Sequence, residues 1–309
     1  MQFYLIAVTA GLVSGLLQSA AILPGPGALI LAYIAPLPLF LVGLGMGLQG
    51  AVVAVLVVGV LSVPLAGPLY AMIQVLVYGL PIIILSRQAL MSRTDGQGVV
   101  HWYPAGQLLL WLSGIAMAGL AVMVVGLSLF GDGLLTQIRL VIEPFANQLP
   151  VPEQQDMLMS LADYVPAFFA VSWILGLIFN GILAQGLLVR FGQNLRSTPK
   201  MAEIKLPAAW IGVLAVALAL STMDGLIGVF GKTLAAIAIV PYFLLGLGVV
   251  HDFFRSWKAR WIMLILFYGL LLMWPLPVLV AGLGLLKALL RLRGGKKLDN
   301  SGDNAEREE

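Results

Sequence analysis

Three polar or aromatic side chains, Tyr70, Gln74 and Tyr78, recur every fourth residue in an otherwise apolar stretch. On a helix that spacing puts them on one face. Trp173 and Asn180, seven apart, share a face in a later apolar stretch. Aromatic walls carrying a few placed hydrogen-bonding groups are what a pocket for a neutral, planar or polar solute requires. The same side chains equally suit interhelical hydrogen bonds that hold a membrane bundle together. Both readings stand at this level. One further polar pair, Asp224 and Lys232, flanks a short connection between two apolar blocks. It is placed either to pair across that turn or to face water.

What the chain lacks narrows the chemistry. It has no cysteine, which excludes disulfides, thiolate nucleophiles and Cys-ligated metals. Its two histidines, His101 and His251, are far apart, and a zinc site needs three or four converging ligands. No metal or cofactor is expected. There is no Ser/His/Asp set, no HExxH and no phosphate loop, so the chain is not read as an enzyme. Acidic residues are also absent from the middle of the apolar blocks, where proton- or sodium-coupled transporters usually carry them. Pro36, Pro38, Pro81 and Pro241 interrupt apolar blocks, but not at corresponding positions in two halves, so no inverted repeat is expected.

The elements that position these residues follow from hydropathy. Of 309 residues, 61% are hydrophobic and 10% charged, with a mean hydropathy of +1.01. Soluble domains run at about 25% charged. The apolar residues come in long blocks, which marks an all-α integral membrane protein, a polytopic helical bundle. Blocks are read at 4–22, 28–43, 51–63, 69–85, 105–130, 165–189, 207–223, 229–250 and 261–290. The first carries no basic residue ahead of it and is read as a retained helix rather than a signal peptide. The last exceeds one ordinary span of about 20 residues and is broken by Trp274-Pro275-Leu276-Pro277. As a hairpin it gives ten transmembrane helices; as one kinked helix, nine.

Charge favours the hairpin. With ten spans, Arg87, Arg93, Arg190, Arg196, Lys200, Lys205, Arg255, Lys258, Arg260 and the C-terminal basic cluster all fall on one side. Only Arg139 and Lys232 fall on the other, so the positive-inside rule gives N-in/C-in. Lys287 and Arg291 are expected to snorkel. A net charge of +3 serves this topology, and no soluble domain is long enough to bind nucleic acid. Residues 1–293 are then one transmembrane domain, and the polar tail 294–309 is a disordered cytoplasmic segment.

The segment 131–164 lies outside in this topology. Leu134, Ile138, Val141, Ile142 and Phe145 recur at helical spacing, Pro150 and Pro152 break the pattern, and Met157, Leu158 and Leu161 resume it. Two short amphipathic helices at the membrane surface are predicted, serving as a lid, a partner surface or a connector. In the first block Ala7, Gly11 and Gly15 repeat every four residues, as Gly43 and Gly47 do later. Such spacing lets helix backbones approach closely, either within the chain or against another subunit.

On three stretches the chain resembles the YybS-like multi-pass membrane proteins of bacteria, a domain of unknown function. These are Pro36-Leu37-Pro38-Leu39-Phe40 followed by Gly43–Gly50, the loop ending Trp102-Tyr103-Pro104-Ala105-Gly106, and Trp274-Pro275-Leu276-Pro277 leading to Gly282 and basic residues. Remotely, the first half is similar to the S components of energy-coupling-factor (ECF) vitamin transporters. That likeness implies a helix-docking role for Ala7, Gly11 and Gly15 against a coupling subunit. The chain departs from S components in having more spans and no vitamin-binding signature. The expectation is a transporter-like or solute-binding protein of the bacterial cytoplasmic (inner) membrane without its own ATPase. Its partners would be the lipid bilayer, a small solute and a coupling or assembly subunit. The alternative is a non-transporting scaffold or assembly factor.

Overall fold

A computed structural model describes residues 1–20, 26–199 and 204–305, with 26 and 293–305 described by backbone alone. The chain divides into two compact units, residues 1–115 with 172–199 and residues 116–171 with 200–309. Residues 24 and 25 of the expected turn at 24–27 fall outside the described residues, as do residues 306–309 and the tail side chains.

In the first unit α1 (Gln2–Ser19) is followed by α2 (Pro26–Ile34) and α3 (Pro36–Met46). The apolar block read as one span at 28–43 is therefore two helices meeting at Ala35. The cause is local. Pro36 and Pro38 have no N–H for the carbonyls four residues back, Ala32 and Ile34. The Ala32 carbonyl is taken instead by the Ala35 N–H at 3.3 Å. Next come α4 (Leu48–Ala66) and α5 (Pro68–Gln74). A π turn (Val75–Gly79) then leads into α6 (Leu80–Ala89). Gly47 and Gly67 join α3 to α4 and α4 to α5 with φ of 83° and 88°, a conformation glycine alone adopts readily. Strands β1 (Ser92–Thr94) and β2 (Val100–Trp102) form an antiparallel hairpin, Arg93 opposite His101.

Helix α7 (Ala105–Phe130) passes from the first unit to the second. There α8 (Leu134–Ala146), α9 (Pro152–Leu161) and a 3-10 turn (Ala162–Tyr164) lead into α10 (Val165–Arg190), which returns to the first unit. The two short helices predicted in 131–164 are present. The second unit ends with α11 (Ala209–Ser221), α12 (Gly225–Phe254), α13 (Arg260–Leu270) and α14 (Leu276–Ala305). The block at 261–290 is thus two helices parted at Trp274-Pro275.

Among the described residues, seven helical segments are long and apolar enough to cross a membrane. They are Gln2–Ser19, Gly27–Met46, Leu48–Ala66, Pro68–Ala89, Ala105–Phe130, Pro152–Arg190 and Gly225–Phe254. Ala209–Ser221 and Arg260–Leu270 are apolar but shorter. The chain is an all-α membrane protein in its described helices, apart from one small hairpin.

Glycines set the closest helix crossings. A Cβ on Gly246 of α12 would collide with the Val280 carbonyl oxygen, and one on Gly284 of α14 with the Tyr242 carbonyl oxygen. Backbone therefore meets backbone, and Tyr242 and Val280 are buried beside the contact. At the other end of α12, Gly228 and Gly231 likewise leave no room for a Cβ against Met223 and Leu220.

Candidate functional site

The sequence-selected side chains in the first unit converge on its two broken helices. Pro81 leaves the Val77 carbonyl without its helical donor. The chain answers in two ways: it widens to the π turn, where the Leu80 N–H reaches Val75, and it borrows a donor. The indole Nε1–H of Trp173, from α10, bonds the Val77 carbonyl at 3.2 Å. Tyr78 is the next residue, half-buried in the π turn.

Two turns along α10, Asn180 treats the other break similarly. Its Nδ2 donates to the Tyr33 carbonyl on α2 and to the Gly176 carbonyl, both at 2.8 Å. Asn180 is fully buried, and its Oδ1 has no hydrogen-bond partner. On the other side of the same break, the Ser14 hydroxyl of α1 donates to the Ala35 carbonyl at 2.7 Å. Trp173 and Asn180 do share a face of α10, and that face supplies donors at both interruptions.

Tyr70 and Gln74 belong to a chain of bonds that starts at Ser14. Gln18 Nε2 donates to the Ser14 hydroxyl at 3.0 Å. The Tyr70 hydroxyl donates to the Gln18 carbonyl at 3.1 Å and accepts from Gln74 Nε2 at 2.5 Å. Gln18 and Gln74 are both buried, and the Oε1 of each has no partner. An apolar interior charges each such oxygen the loss of its water bonds, about 1–3 kcal/mol. Tyr70, Gln74, Gln18 and Ser14 are thus one polar cluster joining α1, α5 and the α2–α3 break. Asn180 binds that break from α10.

The small-residue face of α1 is used within the chain. Ala7, Gly11 and Gly15 are buried. A Cβ on Gly11 would meet the Ala54 carbonyl oxygen, and one on Gly15 would lie 2.8 Å from Leu61, both on α4. Within the chain, α4 lies against this face at Gly11 and Gly15. Gly43 likewise gives way to Ser86 of α6, whereas Gly47 serves the turn after α3.

Lys232 does not pair with Asp224. Its Nζ is 2.6 Å from Asp163 in the 3-10 turn, and it lies over the Tyr164 ring. Eight residues of α12 place Lys232 about 12 Å along the axis from Asp224, too far for a bridge across the turn. At the far end of α12, Lys287 of α14 faces Asp252 at 3.9 Å, and Arg291 donates to the Ile204 carbonyl at 2.8 Å.

Sequence reading assigned Arg196 only a topological role. In the structure it is a buried clamp. Its guanidinium donates to the Ala89 carbonyl at the end of α6 (2.8 Å) and to Tyr103 after the hairpin (3.3 Å). It also lies 5.8 Å from the Trp102 ring centroid. Its own carbonyl accepts from Gln185 and Asn194, each at 3.0 Å. Burial pulls the guanidinium below its ordinary pKa. In the hairpin, Asp95 accepts the Gln97 and Val99 amides at 2.9 Å and meets His101 Nε2 at 2.8 Å. The His101 contact first, then the amides, hold its carboxyl below the usual range.

The family described as "Predicted membrane protein (DUF2232)" matches residues 12–286. No curated protein and no solved structure matches the chain. The broad resemblance seen in the sequence, to a multi-pass membrane family of unknown function, therefore holds, while the remoter likeness to S components is not shown.

Proposed function

The chain belongs to the DUF2232 family of predicted membrane proteins, and from that premise we propose a transporter-like, solute-binding role without an ATPase of its own. One observation carries the reading: two apolar helices of the first unit are interrupted, and a single helix, α10, caps both interruptions with side chains. Interrupted membrane helices are where transporters bind solutes, because only there does backbone leave its own ladder. π turns are likewise frequent at functional sites.

The proposed site is the cluster of Tyr70, Gln74 and Tyr78 with Gln18, next to the α2–α3 break. The unpartnered oxygens of Gln18 and Gln74 accept hydrogen bonds from the solute. The topology that goes with this role is ten spans, N-in/C-in, in the bacterial cytoplasmic membrane. It counts the short helices α11 and α13 and the apolar start of α14 as spans, with local bilayer thinning to suit them. A coupling subunit, where one acts, docks elsewhere than the covered face of α1.

Native mass spectrometry of protein released gently from its own membrane tests this. A retained small molecule, lost in Gln74→Leu while the protein stays folded, is the expected result. A retained protein subunit with no small molecule in either form overturns it in favour of an assembly role.

A further inference from the structure

Helix α8 has three faces rather than two. At about 100° per residue, Leu134, Ile138, Ile142 and Ala146 form one arc, and all four are buried. Leu134, Ile138 and Ile142 pack with Ala162 and Val229, with Val124 and Leu127 of α7 and with Val165 of α10. The next arc carries Arg139 and Glu143, both exposed. The third carries Leu140, Pro144 and Val141, with the half-buried Gln137 as its single polar member, and the exposed Phe145 follows at the edge next to Val141, on the last turn. Leu140, Val141 and Phe145 are 56%, 58% and 63% exposed. An ordinary amphipathic helix between protein and water needs no such third arc.

We propose that this third arc is inserted among lipid acyl chains, so that α8 lies along the membrane surface where protein, water and lipid meet. Continuity with the apolar belt supports lipid as the occupant. The protein-facing arc of α8 rests on the end of α7 and the start of α10. Those same helix ends expose Phe130 at 91% and also Leu129, Phe168 and Phe169. An apolar arc beside such residues, edged by Arg139 and Glu143, is the pattern of an interfacial helix. A protein partner fits less well. Four side chains fall far short of the about 800 Å² per partner that a specific interface buries.

The absence of native cysteine makes the test direct. Single variants Arg139→Cys, Val141→Cys, Glu143→Cys and Phe145→Cys of the full chain are spin-labelled and reconstituted into phosphatidylcholine vesicles. Collision with oxygen, which concentrates in lipid, is compared with collision with a water-soluble nickel chelate. The oxygen-to-nickel ratio at 141 and 145 is expected to exceed that at 139 and 143 several-fold. Equal ratios at all four positions overturn the proposal, because the third arc then faces water. Low accessibility to both reagents at 141 and 145 also overturns it, because protein then covers the arc. Each site is exposed in the fold, so the labels leave the packing of α8 intact.

Discussion

The sharpest prediction concerns the carbonyl of Val77. Trp173→Phe keeps an aromatic ring on α10 but removes the side-chain donor that serves that oxygen. Interhelical hydrogen bonds in membranes average about 0.6 kcal/mol and reach about 1.7. An acceptor left dry adds up to about 1–3 kcal/mol. The bond is long at 3.2 Å and Trp173 is only half-buried, so the lower end applies, about 1 kcal/mol. The smaller ring costs some packing as well, and a second mutation separates the two effects. Pro81→Ala restores an N–H four residues after Val77 and lets the π turn close to α-helix. In that background Trp173→Phe costs only the packing part. The double-mutant cycle therefore has a coupling of about 1 kcal/mol, about fivefold in the unfolding constant. Reversible unfolding in mixed micelles, followed by circular dichroism, measures all four proteins. A coupling within about 0.3 kcal/mol of zero would refute the claim that Trp173 replaces the donor Pro81 lacks.

Three further outcomes follow from the packing and the loops. Gly284→Ala drives a methyl into the Tyr242 carbonyl oxygen and costs about 3 kcal/mol or more, whereas Gly282→Ala, with open space at its Cβ, is neutral or slightly stabilising; thermal unfolding in detergent compares them. Arg196→Met strips donors from the Ala89 and Tyr103 carbonyls and costs about 2 kcal/mol, with faster proteolysis of residues 92–104, and Arg196→Lys rescues little because an ammonium lacks the fork. Asp95 has a folded pKa below its unfolded one, so its contribution is present above the ordinary carboxylate pKa and lost as pH falls through the lower, folded value. Hydrogen exchange of the 92–102 peptide should accordingly be faster in Asp95→Asn than in the parent at neutral pH, and the two should converge once the pH is well below about 3.9.

Prolines made much of the architecture legible. Pro36, Pro38, Pro81 and Trp274-Pro275 mark real interruptions, because a missing N–H is a property of the residue itself, whereas Pro241, expected to interrupt its block, lies inside the continuous α12. The helices α8 and α9 were legible for the same kind of reason: apolar periodicity and a Pro break are local. What a face packs against is not local. The repeat of Ala7, Gly11 and Gly15 announces a close approach, but nothing in it says that α4 is the helix approached. Trp173 and Asn180 were visible as a shared face, yet their acceptors are backbone carbonyls, which carry no residue signature. Lys232 found Asp163 rather than Asp224 because the partner lies 69 positions away in sequence. Arg196 looked like one more topological charge, since burial of a loop arginine depends on where α6 and the hairpin end. Ser14 and Gln18 carried a faint signal, a polar pair four apart beside the Gly11 and Gly15 stripe.

The caps supplied by α10 also set a timescale. A backbone hydrogen bond inside a helix opens only when the helix frays or unfolds locally, a process of microseconds or longer. The bonds from Trp173 and Asn180 end on rotatable side chains, and exposed side chains change rotamer in roughly picoseconds to nanoseconds. Packing slows both residues, the fully buried Asn180 more than the half-exposed Trp173. The two interruptions therefore open at different rates although one helix holds them, and the π turn, released by the more accessible indole, is the earlier to move.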